Sequence, residues 1–382
     1  MAKNFQHGKI QELIKSIVGT SLHSKQILSL SNAVQGIIQA ASLALSVIGQ
    51  ALAEAQGLDP KYATKQVDRL FSNSKINLTL FYSNWVSFLV QNRTAIIVSL
   101  DWTDFDKDDH CTLVLNLITS HGRATPLLWK THQKSQLKNR RGEYEESLLR
   151  LLKSLLPSSC NQVIILADRG FGDVGFYDFI RILGFDFVIR FKNNIHMTFN
   201  GVTKPAREWL LNKAKLYCNA GLTASGYIVA SVVCVHDKKM KEAWYLASSL
   251  DGSSVKASTI IKYYGRRFSC EENFRDVKDI RFGMGLSSVR IKSAERRDRI
   301  LLASAIAVSL LTLLGAAGES IGLDRLLKVN TVKKRTHSLF TQGCFYFRAM
   351  VNYKIERFES LMKAYAELLN HHIAFSGLFS FL

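Results

Sequence analysis

Apolar residues recur at helical spacing through the first 92 residues: Ile10, Leu13, Ile14 and Ile17, then Ile37, Ile38, Ala41, Leu45 and Ile48. Recurrence at three and four residues predicts helices with one buried stripe. Asp59-Pro60 opens a further helix, with Pro60 in the first turn, where its missing N–H is not needed. In that helix Lys61, Lys65 and Arg69 fall at i, i+4 and i+8, opposite Val67, Leu70 and Phe71. Such a helix suits docking on a phosphate backbone, and equally an ordinary solvated face.

Beyond residue 93 the pattern switches to period two and to short apolar runs. Residues 94–100 read as a strand ending on Asp101, residues 111–118 as a second and 124–130 as a third. The connector His121-Gly122-Arg123 is short enough for a hairpin. A helix fits 143–156, before Pro157, and 163–167 read as a buried strand ending on Asp168. A helix near 176–183 stops at Gly184, and 185–190 form another strand. The order β-β-β-α-β-α-β predicts an α/β fold with a mixed sheet, opened by a meander and completed by crossovers.

From about 192 to 250 Gly, Asn, Lys and Thr are common and β-like runs such as 227–235 appear, which predicts an inserted β-rich module. Helices resume near Ser258 and continue to about 318. Residues 319–382 read as helical and open on a basic run, 325–335. The expected organisation is an N-terminal helical region (1–92), an α/β core with its insertion (93–318) and a C-terminal helical region (319–382).

Two uncharged stretches raise the question of a membrane. Residues 26–53 are interrupted by Asn32, Gln35, Gln39, Gln50 and serines, which a lipid-facing helix does not tolerate. Residues 300–318 are long enough to span, but stand alone and follow Glu295-Arg-Arg-Asp-Arg299, so a buried core helix is expected.

Composition narrows the partner. Lys and Arg number 50 against 31 Asp and Glu, a net charge of +19 that points to a polyanion. Lys65 and Arg69 thereby become DNA-contact candidates, together with the basic stretches 130–141, 290–299 and 328–335, and 1–92 a candidate DNA-binding region. The six cysteines form no C-x-x-C pair and come no closer than 16 residues, which excludes a zinc ribbon and a dense disulfide framework. Reduced thiols in the cytoplasm fit best. The histidines form no metal pattern, and His371 and His372 are adjacent, hence on different helix faces.

Candidate chemistry begins with Asp101, in Ser-Leu-Asp-Trp-Thr-Asp, and Asp168, in Leu-Ala-Asp-Arg-Gly-Phe. Each alone reads as a turn residue or helix cap. Together, at strand ends, they are where oxygen ligands could hold Mg²⁺. More specific is the run from 264 to 278, Tyr-Gly-Arg-Arg-Phe-Ser-Cys-Glu-Glu-Asn-Phe-Arg-Asp-Val-Lys. Tyr264, Arg267, Glu271 and Lys278 are spaced by 3, 4 and 7, which keeps them to one helix face. That face combines a carboxylate for a metal with three groups that grip phosphates. Glu272 is a rival to Glu271, but only Glu271 has this spacing.

The Tyr-x2-Arg-x3-Glu-x6-Lys run resembles the signature of the IS-four family of bacterial insertion-sequence transposases, DDE enzymes with an RNase-H-like core. Asp101-Trp-Thr resembles that family's first acidic motif and Asp168-Arg-Gly-Phe its second. Residues 242–249 resemble the β-insertion segment whose tryptophan stacks on a flipped base in hairpin-forming members. Residues 65–73 look like the N-terminal stretch of the Tn-ten-like sub-group. The resemblance covers about 60–335; the separation of 103 positions from Asp168 to Glu271 leaves room for an insertion in an RNase-H-like fold.

The resemblance implies that Asp101, Asp168 and Glu271 are catalytic ligands of two Mg²⁺ ions, with Mn²⁺ able to substitute. It implies phosphate contacts for Tyr264, Arg267 and Lys278, and base stacking for Trp244. The implied partners are double-stranded DNA, as terminal inverted repeats and target, and a second copy of the chain in the DNA complex. The implied reaction is cut-and-paste transposition: hydrolysis, hairpin formation and strand transfer. A metal-dependent nuclease or resolvase without strand transfer, and a non-catalytic DNA-binding repressor, are the alternatives. The phosphate-gripping signature favours a transposase over the first, and the intact acidic positions count against the second.

Overall fold

The computed structural model describes residues 2–19, 22–281 and 283–370, so His371, His372 and the rest of the C-terminal segment lie outside the described residues. Five helices come first: α1 (Ala2–Val18), α2 (Ser24–Ala40), α3 (Leu45–Gln56), α4 (Pro60–Ser72) and α5 (Leu78–Val90). The uncharged stretch 26–53 folds as α2 and α3, bent by 98° against each other. Helix α4 starts as its sequence dictates. Asp59 accepts from the N–H groups of Lys61 and Tyr62 at 2.8 and 3.3 Å, and Pro60 fills the first turn. Ala63, Val67, Leu70 and Phe71 are buried, while Lys61, Lys65 and Arg69 are exposed.

The sheet begins with β1 (Ala95–Phe105), β2 (His110–Leu117) and β3 (Thr125–Gln133), an antiparallel meander. Helix α6 (Arg141–Leu155) leads to β4 (Gln162–Ala167), and α7 (Val174–Ile182) to β5 (Asp186–Arg190). Strands β1, β4 and β5 pair in parallel. Five more strands follow: β6 (His196–Phe199), β7 (Val202–Pro205), β8 (Lys215–Leu222), β9 (Tyr227–Val235) and β10 (Trp244–Ser248). All ten form one sheet in the order β3-β2-β1-β4-β5-β10-β9-β8-β6-β7. The first five positions form a mixed core, with β2 antiparallel and β4 parallel to β1.

One sequence expectation needs correction. Strand β1 does not end on Asp101. Its parallel pairing with β4 stops at Leu100 opposite Ala167, but its antiparallel pairing with β2 carries it on to Phe105 opposite His110. The β-rich insertion is built onto the core sheet itself. Strand β10 returns along the free edge of β5, so the insertion extends the core sheet and covers the edge that β5 would otherwise expose.

Helices α8 (Ala257–Arg266) and α9 (Phe268–Lys278) follow, then the long α10 (Ala294–Ser320), α11 (Leu339–Ala349) and α12 (Ile355–Asn370). By length and composition α10 would suit a membrane. In this fold it is a core helix, with 83% of its most apolar window buried, packed against α2, α4, α11, α12 and β3.

Period-two alternation divides the sheet between two cores. Ile96, Val98 and Leu100 of β1 face one, which runs on into the N-terminal helices and α10. Ile97 faces the other, together with Ile164 and Leu166 of β4, Val188 of β5, Leu246 of β10, and Ile260 and Tyr264 of α8. Helices α8 and α9 cover this second face.

Candidate active site

The same alternation places the first two carboxylates. Asp101 is four residues beyond Ile97, and Asp168 two beyond Leu166, so both belong to the face under α8 and α9. Because Leu100 and Ala167 are the last parallel pair, the two aspartates come next, side by side, where β1 and β4 part. Ligands of open α/β sheets gather at such carboxyl ends of parallel strands.

Helices α8 and α9 bring in the rest. Arg267, at their junction, is buried; its two terminal nitrogens reach Asp101 Oδ2 at 3.4 Å and Glu271 Oε1 at 2.8 Å. Tyr264 is fully buried and donates its hydroxyl to Asp168 Oδ1 at 3.3 Å. The structure thus draws Asp101, Asp168, Tyr264, Arg267 and Glu271 into one network. Glu272 points away and pairs with Arg123 at 3.3 Å. The signature is two helices rather than one, and Lys278 reaches another part of the same face. It donates to Thr103 Oγ1 at 3.1 Å and to the Asp104 carbonyl at 2.6 Å.

Trp244, at the start of β10, is half-buried at the rim. Its ring meets Tyr264 edge-on at 4.9 Å and lies near-parallel to Phe268 at 5.9 Å. The Arg267 guanidinium lies 4.9 Å from the Phe268 ring centre. Phe268 is exposed and, with Cys270, went unnoticed in the sequence, although both lie inside the signature. The Cys270 thiol approaches Asp101 Oδ2 at 3.7 Å, and burial pushes it up to about 12, so it stays protonated.

Electrostatics follow from burial. Desolvation raises the Asp101 pKa, opposed by the Arg267 charge and by the Trp102 N–H bond. Burial lifts Tyr264 to about 12, keeping its hydroxyl a donor. Burial lowers Lys278, opposed by Asp104 and Asp106.

The donor set of three carboxylates is hard oxygen and suits Mg²⁺ in chemistry. Among the described residues no three metal-ligating side chains are close enough to enclose an ion. Instead, the Arg267 guanidinium supplies the positive charge between Asp101 and Glu271.

The basic stretches divide. Lys65 and Arg69 are exposed on α4, but Arg297 and Arg299 of α10, expected at a DNA-facing surface, are buried. Arg297 bonds Asp108 and His110, and Arg299 donates to the Phe71 carbonyl at 2.6 Å. Lys328 and Arg335 pair with Asp324 and Glu319.

Residues 132–310 match the family model for the transposase DDE domain. That span takes in Asp168, Glu271 and the whole signature, covers just under half of the chain, and leaves Asp101 outside. No curated protein matches the sequence. Among solved structures, the chain is similar to piggyBac transposase in a synaptic complex with hairpin DNA, at 10% identity and a TM-score of 0.42. The alignment covers 96% of this chain and 78% of that one.

Proposed function

We propose that this chain is a DNA transposase of the IS-four type, moving an insertion sequence by cut and paste. The observation that carries this reading is the meeting of Asp101, Asp168 and Glu271 through Arg267 and Tyr264, where β1 and β4 diverge. The transposase-domain match across 132–310 supports it.

In this reading Asp101, Asp168 and Glu271 would hold divalent cations, which when bound would neutralise phosphate charge and favour a nucleophilic hydroxide. Arg267, which bridges Asp101 and Glu271, would with Lys278 face the scissile phosphate. Tyr264 orients Asp168, and its hydroxyl is the donor that can turn to a phosphate. Water frees a 3′-OH, which attacks the opposite strand to close a hairpin; after opening, the 3′-OH joins target DNA. Each step is one in-line displacement with a different nucleophile. Trp244 stacks on a base unstacked at the hairpin. Residues 1–92 serve DNA binding, and 319–382 serve pairing of two copies.

The test is the full-length protein with paired end DNA, target plasmid and Mg²⁺. The expected products are nicks, then hairpins, then joined DNA. Asp101→Asn, Asp168→Asn and Glu271→Gln should each lose cleavage by roughly 10³-fold or more, as when a transition-state-stabilising group is removed, yet still bind DNA. Glu272→Gln should cleave normally. Nicks that never lead to joining would establish the nuclease reading instead.

A further inference from the structure

Beside Asp168 lies a second feature, separate from the three carboxylates. Arg169 follows Asp168 directly, and Arg190, at the end of β5, points from the same sheet face. The two arginines converge on one acid, Glu242. Arg190 Nη1 donates to Glu242 Oε1 at 2.7 Å, and Arg169 Nη1 lies 3.6 Å from Glu242 Oε2. Arg190 also donates to the Ala243 carbonyl at 3.1 Å, holding the backbone that leads into Trp244. The three line an open cleft of about 550 Å³, within the range of ligand sites, with Lys192 and Asn193 along its side. Among the described residues Glu242 is the only acid lining it, against three cations.

We propose that this cleft is a subsite for a backbone phosphate of the DNA strand beside Asp168, and that Glu242 is a built-in counter-anion which the phosphate displaces. The proposal rests on the DNA reading above. Three features of the cleft argue for it. Arg190 is 8% exposed, fixed by two bonds, and presents a preorganised fork that matches an anionic oxygen pair. Glu242 is 54% exposed, so its surface pairs contribute little and yield readily to a competitor. The surplus positive charge sits in a concavity, where fields are focused. A strand held there passes from the Asp168 carboxylate towards Trp244, two residues beyond Glu242. Glu242 therefore keeps the cleft satisfied, and less attractive to other anions, until DNA arrives.

Binding of a short fluorescent duplex of random sequence to the full chain, titrated with salt, tests this. Glu242→Gln keeps the shape and one bond to Arg190 but removes the competing charge. Its Kd should tighten by roughly two- to fivefold, the worth of one surface ion pair. Arg169→Ala, at an exposed position that does not endanger folding, should weaken binding and reduce the slope of log K against log salt by about 1. Thermal melting confirms that both variants are folded. If the unaltered chain binds duplex with a steep salt dependence while both variants match it, the cleft proposal is overturned and the DNA reading stands. Glu242→Gln binding more weakly overturns it as well. If the unaltered chain binds no DNA, both readings fall.

Discussion

Asp101 and Glu271 are held together by a single guanidinium: Arg267 reaches one with each terminal nitrogen, at 3.4 and 2.8 Å. Two carboxylates this close repel, and the half-buried Asp101 has little water to screen it. Arg267→Ala should therefore lower stability without metal by about 1.5–3 kcal/mol, the scale of a hydrogen bond to a charged group. A divalent cation should offset that loss, so Mg²⁺ should raise the melting temperature of the variant more than that of the parent. Equal shifts in a thermal titration would contradict the idea that Arg267 holds the cation's place.

Trp244 rests on Tyr264 and Phe268 at the rim of the carboxylate network, neither deep in the core nor remote from it. If it stacks on an unstacked base, Trp244→Ala should cost roughly 1–3 kcal/mol at the distorted step alone. Hairpin yield should then fall well below nicking yield. A purely structural role predicts an equal fall in both, with a lower melting temperature. Measuring the two yields alongside thermal stability decides between them.

What the sequence made legible is what local periodicity and spacing encode. The apolar runs ending at Leu100 and Ala167 marked Asp101 and Asp168 as matching positions on their strands, and the 3-4-7 spacing distinguished Glu271 from Glu272. Long-range pairing was not legible. Nothing in a period of two says that β10 lies along β5, so the sequence showed an inserted β-rich module but not where it joins the sheet. The Arg190–Glu242 contact, across 52 positions, depends on that same pairing. Charge alone does not say which way a side chain points: Arg297 and Arg299 read as a basic surface, yet neighbouring elements supply buried partners for both.

Burial also predicts a pH dependence. Asp298 on α10 accepts from the Thr131 N–H at 2.9 Å, and Lys130 lies 3.7 Å away but half in water. Desolvation wins and pushes Asp298 from 3.8 up to about 7. The folded state thus keeps a proton that the unfolded chain has released, so stability is fullest below about pH 4 and is lost as pH rises through about 7. Asp276, raised to about 6 by burial, acts in the same direction. The informative comparison is therefore with Asp298→Asn, which keeps the acceptor for Thr131. The parent should lose stability relative to this variant between about pH 4 and 7, and parallel curves by thermal or urea melting would refute the assignment.

The uncharged stretch 300–318 of α10 shows no amphipathic face in sequence, yet its packing on α11 is specific. A Cβ at Gly343 would overlap the Leu311 carbonyl, and one at Gly315 would overlap the Leu339 carbonyl, so the backbones approach through glycine on both helices. Alanine is the better helix former by about 1 kcal/mol, so propensity alone predicts that Gly343→Ala stabilises. The obstructing atoms are backbone and cannot rotate away. The helices must part, as in an overpacked core, at about 1–3 kcal/mol. The net expectation is destabilisation. Gly142, near the start of α6, is exposed and meets nothing within 4 Å, so Gly142→Ala should raise stability by about 0.4–1 kcal/mol. The two substitutions are chemically identical, and denaturant melts should show them moving stability in opposite directions. If Gly343→Ala stabilised as Gly142→Ala does, the close approach of α10 and α11 would not exist in solution.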